Sequence, residues 1–225
     1  MKTPFSQEQF FSVFEAYNTE VFPMQIVILA LGFIALLLLK YKHRLKDKFI
    51  GAFLGFIWLW AGIVYQIIYF SPINQAAMVF GMIFIIQGIL LLLDTFAFKR
   101  LAFSFNINFS GGIGAFLVIF GLLIYPLIGW LIERSVPHII SAGLPFPTVI
   151  ITFGFFALAT TMIRWYSMII PFIWAIISLG AVTNFGIYQD YMLIISAIVV
   201  ALLLFFKNKA EIAGQHPRVS PDNSY

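Results

Sequence analysis

The chain has 225 residues, 62% of them hydrophobic and 10% charged, with 27 phenylalanines and no cysteine. Soluble domains are roughly half apolar and a quarter charged, so this composition cannot cover a water-facing surface and points to lipid as solvent. The missing cysteine excludes disulfides, thiol nucleophiles and thiolate metal sites. The net charge of +4 reads as a topology signal, so no nucleic-acid partner is expected.

The first element is FSQEQFFSVFEAYNTEVFP, residues 5–23. Lys2 is followed by polar and acidic residues through Glu20, which does not fit a secretory signal peptide. Phe10, Phe14, Tyr17 and Val21 recur at helical spacing, and Ser6 with Gln9 resembles a capping box. The pattern predicts an amphipathic helix on the outer interface, residues 1–23, ended near Pro23, with a simple extension of the first span as the alternative.

Seven apolar runs follow: Met24–Leu39, Phe49–Phe70, Asn74–Phe98, Gly112–Ile132, Pro147–Ile163, Tyr166–Ile187 and Asp190–Phe206. A span needs about 20 such residues to cross about 30 Å of hydrocarbon. The expectation is an all-α polytopic transmembrane bundle over residues 24–206, of about seven spans, the fifth and seventh being short. Residues 207–225, ending AGQHPRVSPDNSY, are polar and lack an apolar face, which predicts a disordered tail.

Eleven of the thirteen Lys and Arg fall on one side of these spans. Lys40, Lys42, Arg44, Lys46 and Lys48 crowd the first connection, Lys99 and Arg100 follow the third run, Arg164 the fifth, and Lys207 the seventh. The positive-inside rule makes that side cytoplasmic, with the N-terminus outside and the C-terminus inside. The expected location is the bacterial cytoplasmic (inner) membrane, with anionic lipids near Lys40 to Lys48.

The spans carry little ionisable chemistry. Asp94 lies at the inner edge beside Lys99 and Arg100 and reads first as an interfacial carboxylate, with a gating role as the alternative. Asp190 lies at the outer edge, so the two aspartates cannot form an intramembrane dyad. His43, His138 and His216 are scattered over two sides and cannot jointly hold a metal. The hydrolase motifs His-Glu-x-x-His and Gly-x-Ser-x-Gly are missing. No catalytic residue, cofactor or metal site is expected, and the chain reads as a non-enzyme.

Neutral polar side chains gather in the outer halves of the spans: Tyr65, Gln66, Asn74, Gln75, Tyr125, Thr148, Thr152, Thr183 and Asn184. One reading is interhelical glue, which suits the deeper Gln87 and the close-approach glycines Gly51 and Gly55. The other is an outward-facing site with Trp58 and Trp174 as aromatic walls. Its candidate residues are Tyr65, Gln66, Asn74, Tyr125, Arg134, Phe146, Thr148, Thr152 and Trp174, with Arg134 attracting charge at the mouth. Pro126 and Pro171 fall inside spans, as static kinks or as hinges.

In SAGLPFPTVIITFG, residues 141–154, Gly143 permits a turn, Pro145 biases Leu144 to an extended backbone, and Pro147 suits a first helical turn. Phe146 either plugs an outer pocket or anchors the loop in the interface, and the enrichment of aromatics at that depth favours anchoring.

The stretches YNTEVFPMQ, WAGIVYQIIYFSPINQAA, FGMIFIIQG, IYPLIG, GLPFPTVIITFG and IPFIWAIIS together resemble a family of uncharacterised bacterial multi-pass membrane proteins of unknown function. The resemblance implies a fold and a location but no reaction. It also implies relatives with a histidine at the position of Gln66, another at Arg134 and a cysteine at Phe146. A metal or thiol site open to such relatives is therefore closed to this chain.

The leading functional expectation is a facilitator, permease-like subunit or sensor for a small neutral or weakly anionic ligand. A membrane scaffold, as a homo-oligomer or with a partner membrane protein, is the alternative. A lipid-modifying enzyme has the least support.

Overall fold

The computed structural model describes residues 4–42, 44–131, 143–185 and 190–215, excepting the side chains of 44, 181–185 and 208–215. These residues are helical apart from short connections and one isolated bridge between Phe103 and Ala159. The helices are α1 (Gln7–Glu20), α2 (Met24–Leu38), α3 (Arg44–Trp60), α4 (Ala76–Leu92), α5 (Phe109–Ile119), α6 (Tyr125–Leu131), α7 (Pro145–Leu158), α8 (Trp165–Phe185) and α9 (Tyr191–Gln215). Ala61–Phe70 extends α3, Leu93–Ala97 extends α4, and Phe120–Ile124 joins α5 to α6, all three in π-helical geometry. Every apolar run of the sequence thus contains helix.

The helices alternate in direction between two ends. At one end the Phe103 amide donates to Asp47 at the start of α3 (2.8 Å), and Arg100 beyond α4 donates to Tyr166 at the start of α8 (2.9 Å). There the Lys207 amine of α9 also donates to the carbonyl of Ala159, just past α7. Lys46, Lys48, Lys99, Arg100, Arg164 and Lys207 collect here, and we call it the basic end. At the opposite end Trp60 Nε1 donates to the Tyr17 hydroxyl (2.7 Å), and the Tyr125 hydroxyl donates to Asp190.

Three continuous helices, Leu45–Phe70, Ala76–Ala97 and Phe109–Leu131, are long and apolar enough to cross a membrane. A fourth is added if Gln7–Glu20 and Met24–Leu38, bent by 81°, count as one span. Seven full-length spans are therefore not met by length and composition. The fifth run shows why. All of α7 is buried, so its residues are apolar because protein surrounds them on every side. The helix starts at Pro145, two residues before the expected Pro147, with extended Leu144 as its cap. Prolines in a first turn sacrifice no helical hydrogen bond, since those amides have no partner there. It stops at Leu158, where Ala159 turns extended, and the chain hydrogen-bonds to residues 102–104 through Thr160 N to Ala102 O (2.8 Å) and Ser104 N to Leu158 O (3.0 Å).

Glycines set how closely the helices approach. A Cβ on Gly62 would lie 2.8 Å from the Gly81 carbonyl, and one on Gly81 2.9 Å from the Gly62 carbonyl. Gly55 and Gly88 face each other across the same α3–α4 seam, and Gly114 and Gly154 do so between α5 and α7, each 2.8 Å from the other's carbonyl. Small residues at these seams let the backbones approach closely, so the helices meet in direct van der Waals contact. The expected roles of Gly51 and Gly55 hold: a Cβ on Gly51 would overlap Thr95 at 2.0 Å.

The α1 capping box forms as the sequence predicts, Gln9 N to Ser6 Oγ at 3.1 Å and Ser6 N to Gln9 Oε1 at 2.8 Å. Its apolar face, Phe10, Val13, Phe14 and Tyr17, is buried on the bundle. At the other terminus α9 continues through Gln215, so the stretch 207–215, expected to be disordered, is helical. Pro171 lies inside α8. Pro126 follows directly on a π-helical turn, whose closing bond runs from the Tyr125 amide to the Phe120 carbonyl.

Candidate functional site

The interior toward the opposite end is aromatic. Trp58 on α3 lies 4.4 Å from Phe84 on α4, ring centre to ring centre, and Phe84 lies 4.7 Å from Trp174 on α8. Trp174 also meets Phe80 at 5.4 Å and Phe146 of α7 at 6.1 Å. Phe146 is thus turned into the bundle, 7% exposed, which overturns the expectation that it anchors the loop in the interface. Gly143 makes that inward turn. It adopts φ +94°, and a Cβ there would sit 2.7 Å from Ile28 and 3.0 Å from the Tyr17 hydroxyl. The left-handed backbone and the lack of space both require glycine.

Polar groups enter this interior from three helices. Thr152 is fully satisfied: its hydroxyl accepts from Trp58 Nε1 (2.8 Å) and donates to the Thr148 carbonyl (2.8 Å). Its neighbours are not. Thr148 Oγ1, Gln66 Oε1 and Trp174 Nε1 are buried with no hydrogen-bond partner. Gln66 stands about two turns beyond Trp58 on the same continuous helix, within the π-helical stretch, and Thr148 one turn beyond Thr152. Gln66 Oε1 and Thr148 Oγ1 therefore lie on the side of the Trp58–Thr152 bond away from the basic end, and the Trp174 ring sits against Phe80, Phe84 and Phe146. Each orphaned group costs about 1–3 kcal/mol if nothing satisfies it.

The remaining candidates divide. Tyr65 is buried but stacks on Phe14 (5.7 Å) and Phe70 (5.7 Å), and meets Tyr17 edge-on at 5.8 Å. It is the seat on which α1 rests, so α1 covers this end. Tyr125 is occupied by Asp190. Asn74 accepts from the Ala76 amide at 3.2 Å and caps the start of α4, so it does not join the interior group. Arg134 and His138 lie outside the described residues, as do the side chains of Thr183 and Asn184. Gln75 is exposed.

A second polar centre lies at the basic end. Asp94 lies beside Arg100 (3.8 Å) as expected but is buried within the protein, where it accepts from the Tyr166 hydroxyl (2.6 Å) and the Ser167 hydroxyl (2.8 Å). Gln87 donates to the Ser167 carbonyl at 2.8 Å, joining α4 to α8 in the gluing role expected of it. The acceptor pattern explains a carboxylate here: two hydroxyl donors and a guanidinium satisfy its charge. Sequence reasoning missed Tyr166 and Ser167, which adjoin Arg164 at a helix start and carry no signal of their own. It missed Tyr17 as well, whose periodicity showed a buried face but not what it covers. Burial pushes the Tyr17 phenol up, against the opposing bond from Trp60.

Among the described residues no three His, Asp or Glu side chains come together as metal ligands. Fold and site together define an all-helical bundle of apolar helices with orphaned polar groups in an aromatic interior. The chain belongs to a family of unknown function, DUF6064, whose model matches residues 7–215, from the start of α1 to the end of α9. No curated protein and no solved structure matches the chain.

Proposed function

We propose that this is a seven-span bacterial inner-membrane protein that takes up a small neutral or weakly anionic ligand between its helices, as a facilitator, permease-like subunit or sensor and not as an enzyme. The spanning reading is supported by the alternation of the seven helices and by the apolar character of their exposed side chains, such as Leu37, Ile68, Met82, Ile176 and Phe205. The shorter α7 needs no lipid contact of its own in such a bundle. The segregation of the bases to one end supports a cytoplasmic basic end by the positive-inside rule.

The ligand reading rests on one observation: the three orphaned atoms, Gln66 Oε1, Thr148 Oγ1 and Trp174 Nε1, in an aromatic interior. Ligand sites are mostly apolar with a few convergent polar groups, and a ligand offering both a donor and an acceptor would satisfy a carbonyl, a hydroxyl and an indole N–H together. In the described conformation α1 and the Gly143–Pro147 turn cover the end through which it would enter. Opening would pivot α1, which is held by the Trp60–Tyr17 bond and by Tyr69 donating to Glu20 at 2.9 Å.

The test is solute uptake into proteoliposomes, run beside thermal-shift screening of the detergent-solubilised protein against small amides, polyols and carboxylic acids. A hit whose shift disappears in both Gln66→Leu and Trp174→Phe supports the reading. Hits that survive both substitutions, or a complete lack of hits and flux, leave the scaffold reading in its place.

A further inference from the structure

We propose that the basic end carries a specific site for one anionic phospholipid, in a cavity of about 450 Å³ lined by Leu45, Asp47, Lys48, Thr95, Lys99, Leu101 and Ala102. The cavity lies between the first turn of α3 and the turn that ends the π-helical extension of α4. Its chemistry is split. Lys48 and Lys99 supply two cations, and among the described residues neither has a carboxylate within ion-pairing distance. Asp47, the one acid in the lining, has an oxygen committed to the Phe103 amide. The site keeps a net positive charge and two unused ammonium groups.

The other walls are apolar, and they continue into exposed apolar surface. Leu45 is 63% exposed, and Phe96 and Phe98, next in sequence to the lining residues Thr95 and Lys99, are each about half exposed. A ligand that fits both parts is an amphiphile: a phosphodiester between the lysines and an acyl chain along Leu45. A free inorganic anion would leave the apolar wall unused.

The backbone adds an independent sign. Lys99 adopts φ +53°, the sole positive-φ residue other than glycine among those described. A lysine in this left-handed turn is strained where glycine would not be. The turn is fixed by the Phe98 amide bonding the Leu93 carbonyl (2.9 Å) and the Arg100 amide bonding the Asp94 carbonyl (2.7 Å). The strain is accounted for if the side chain has a task at the cavity.

The test is native mass spectrometry of the full chain, released from detergent with phosphatidylglycerol, phosphatidylcholine of the same chains, or inorganic phosphate. One phosphatidylglycerol should be retained per chain, and phosphatidylcholine should bind at least tenfold more weakly. Each lysine near an anionic surface contributes about fivefold, so Lys48→Gln should lose about fivefold in affinity and the double variant Lys48→Gln/Lys99→Gln about twenty-five-fold. Lys99→Gly guards against misfolding, because glycine suits the turn: it should melt no lower than wild type yet bind about fivefold more weakly. Equal binding of the two lipids, unchanged binding in the double variant, or inorganic phosphate competing at millimolar concentration would each overturn the proposal. The site is at the far end from the orphaned interior atoms, so this outcome is independent of the ligand reading.

Discussion

Thr148 and Thr152 sit one turn apart on α7, both fully buried, and the same substitution at the two should change stability in opposite directions. At Thr152, valine removes the acceptor for Trp58 Nε1, a 2.8 Å bond between fully buried groups. It leaves an indole N–H unpaired in an apolar interior, which costs about 1–3 kcal/mol. The hydroxyl's bond to the Thr148 carbonyl is lost too, but that carbonyl can remain in the helical ladder. At Thr148 the hydroxyl already has no partner. Valine there removes an unsatisfied group and fills nearly the same volume, so the expected change is a gain of about 1 kcal/mol, within the range for such a group. The two variants should therefore differ by about 2–4 kcal/mol on these terms. Unfolding in mixed micelles of increasing SDS fraction, followed by tryptophan fluorescence and circular dichroism, reads both. If Thr148→Val is destabilised as much as Thr152→Val, Thr148 has a partner after all and the orphaned-atom argument fails. If a ligand found by screening stabilises wild type, Thr148→Val should lose that response while keeping its higher intrinsic stability.

Other consequences follow from the packing and the charges. Asp94→Asn removes the charge from two hydroxyl donors and Arg100, and should destabilise by about 2 kcal/mol, since bonds to charged groups are worth about 1.5–3 kcal/mol, as read by the same micelle titration. Gly154→Leu should prevent α5 and α7 from meeting and abolish monodisperse elution in size-exclusion chromatography, because even a Cβ lies 2.7 Å from Val118. The raised phenol of Tyr17 stays protonated when the unfolded chain ionises near pH 10, so its contribution is full below that pH and falls as pH rises above it. Tyr17→Phe should flatten that alkaline decline in a melting series from pH 8 to 11. A reporter fused after Lys48 should be active on the cytoplasmic side; periplasmic activity would reverse the proposed orientation.

The sequence by itself determined the helices and their polarity. The seven apolar runs became helices because apolar length is a local property, and the capping box of Ser6 and Gln9 formed because its partners are three residues apart. Segregation of the bases was equally legible, as it needs only chain order. What it could not show was which apolar residues are buried inside the bundle and which lie on its outer surface. The run at Pro147–Ile163 reads as a short span, yet α7 is enclosed on every side, and Phe146 points at Trp174 and not at the interface. Nor could it pair distant groups. Trp58 with Thr152, Asp94 with Tyr166 and Ser167, and Tyr125 with Asp190 are joined across tens of residues, and it is such contacts that divide the eight described candidate residues into satisfied, structural and orphaned. Lipid and protein interior are almost equally apolar, so hydrophobic pattern cannot tell them apart; close packing at glycine seams and hydrogen-bond satisfaction can, and both exist only once the helices have met.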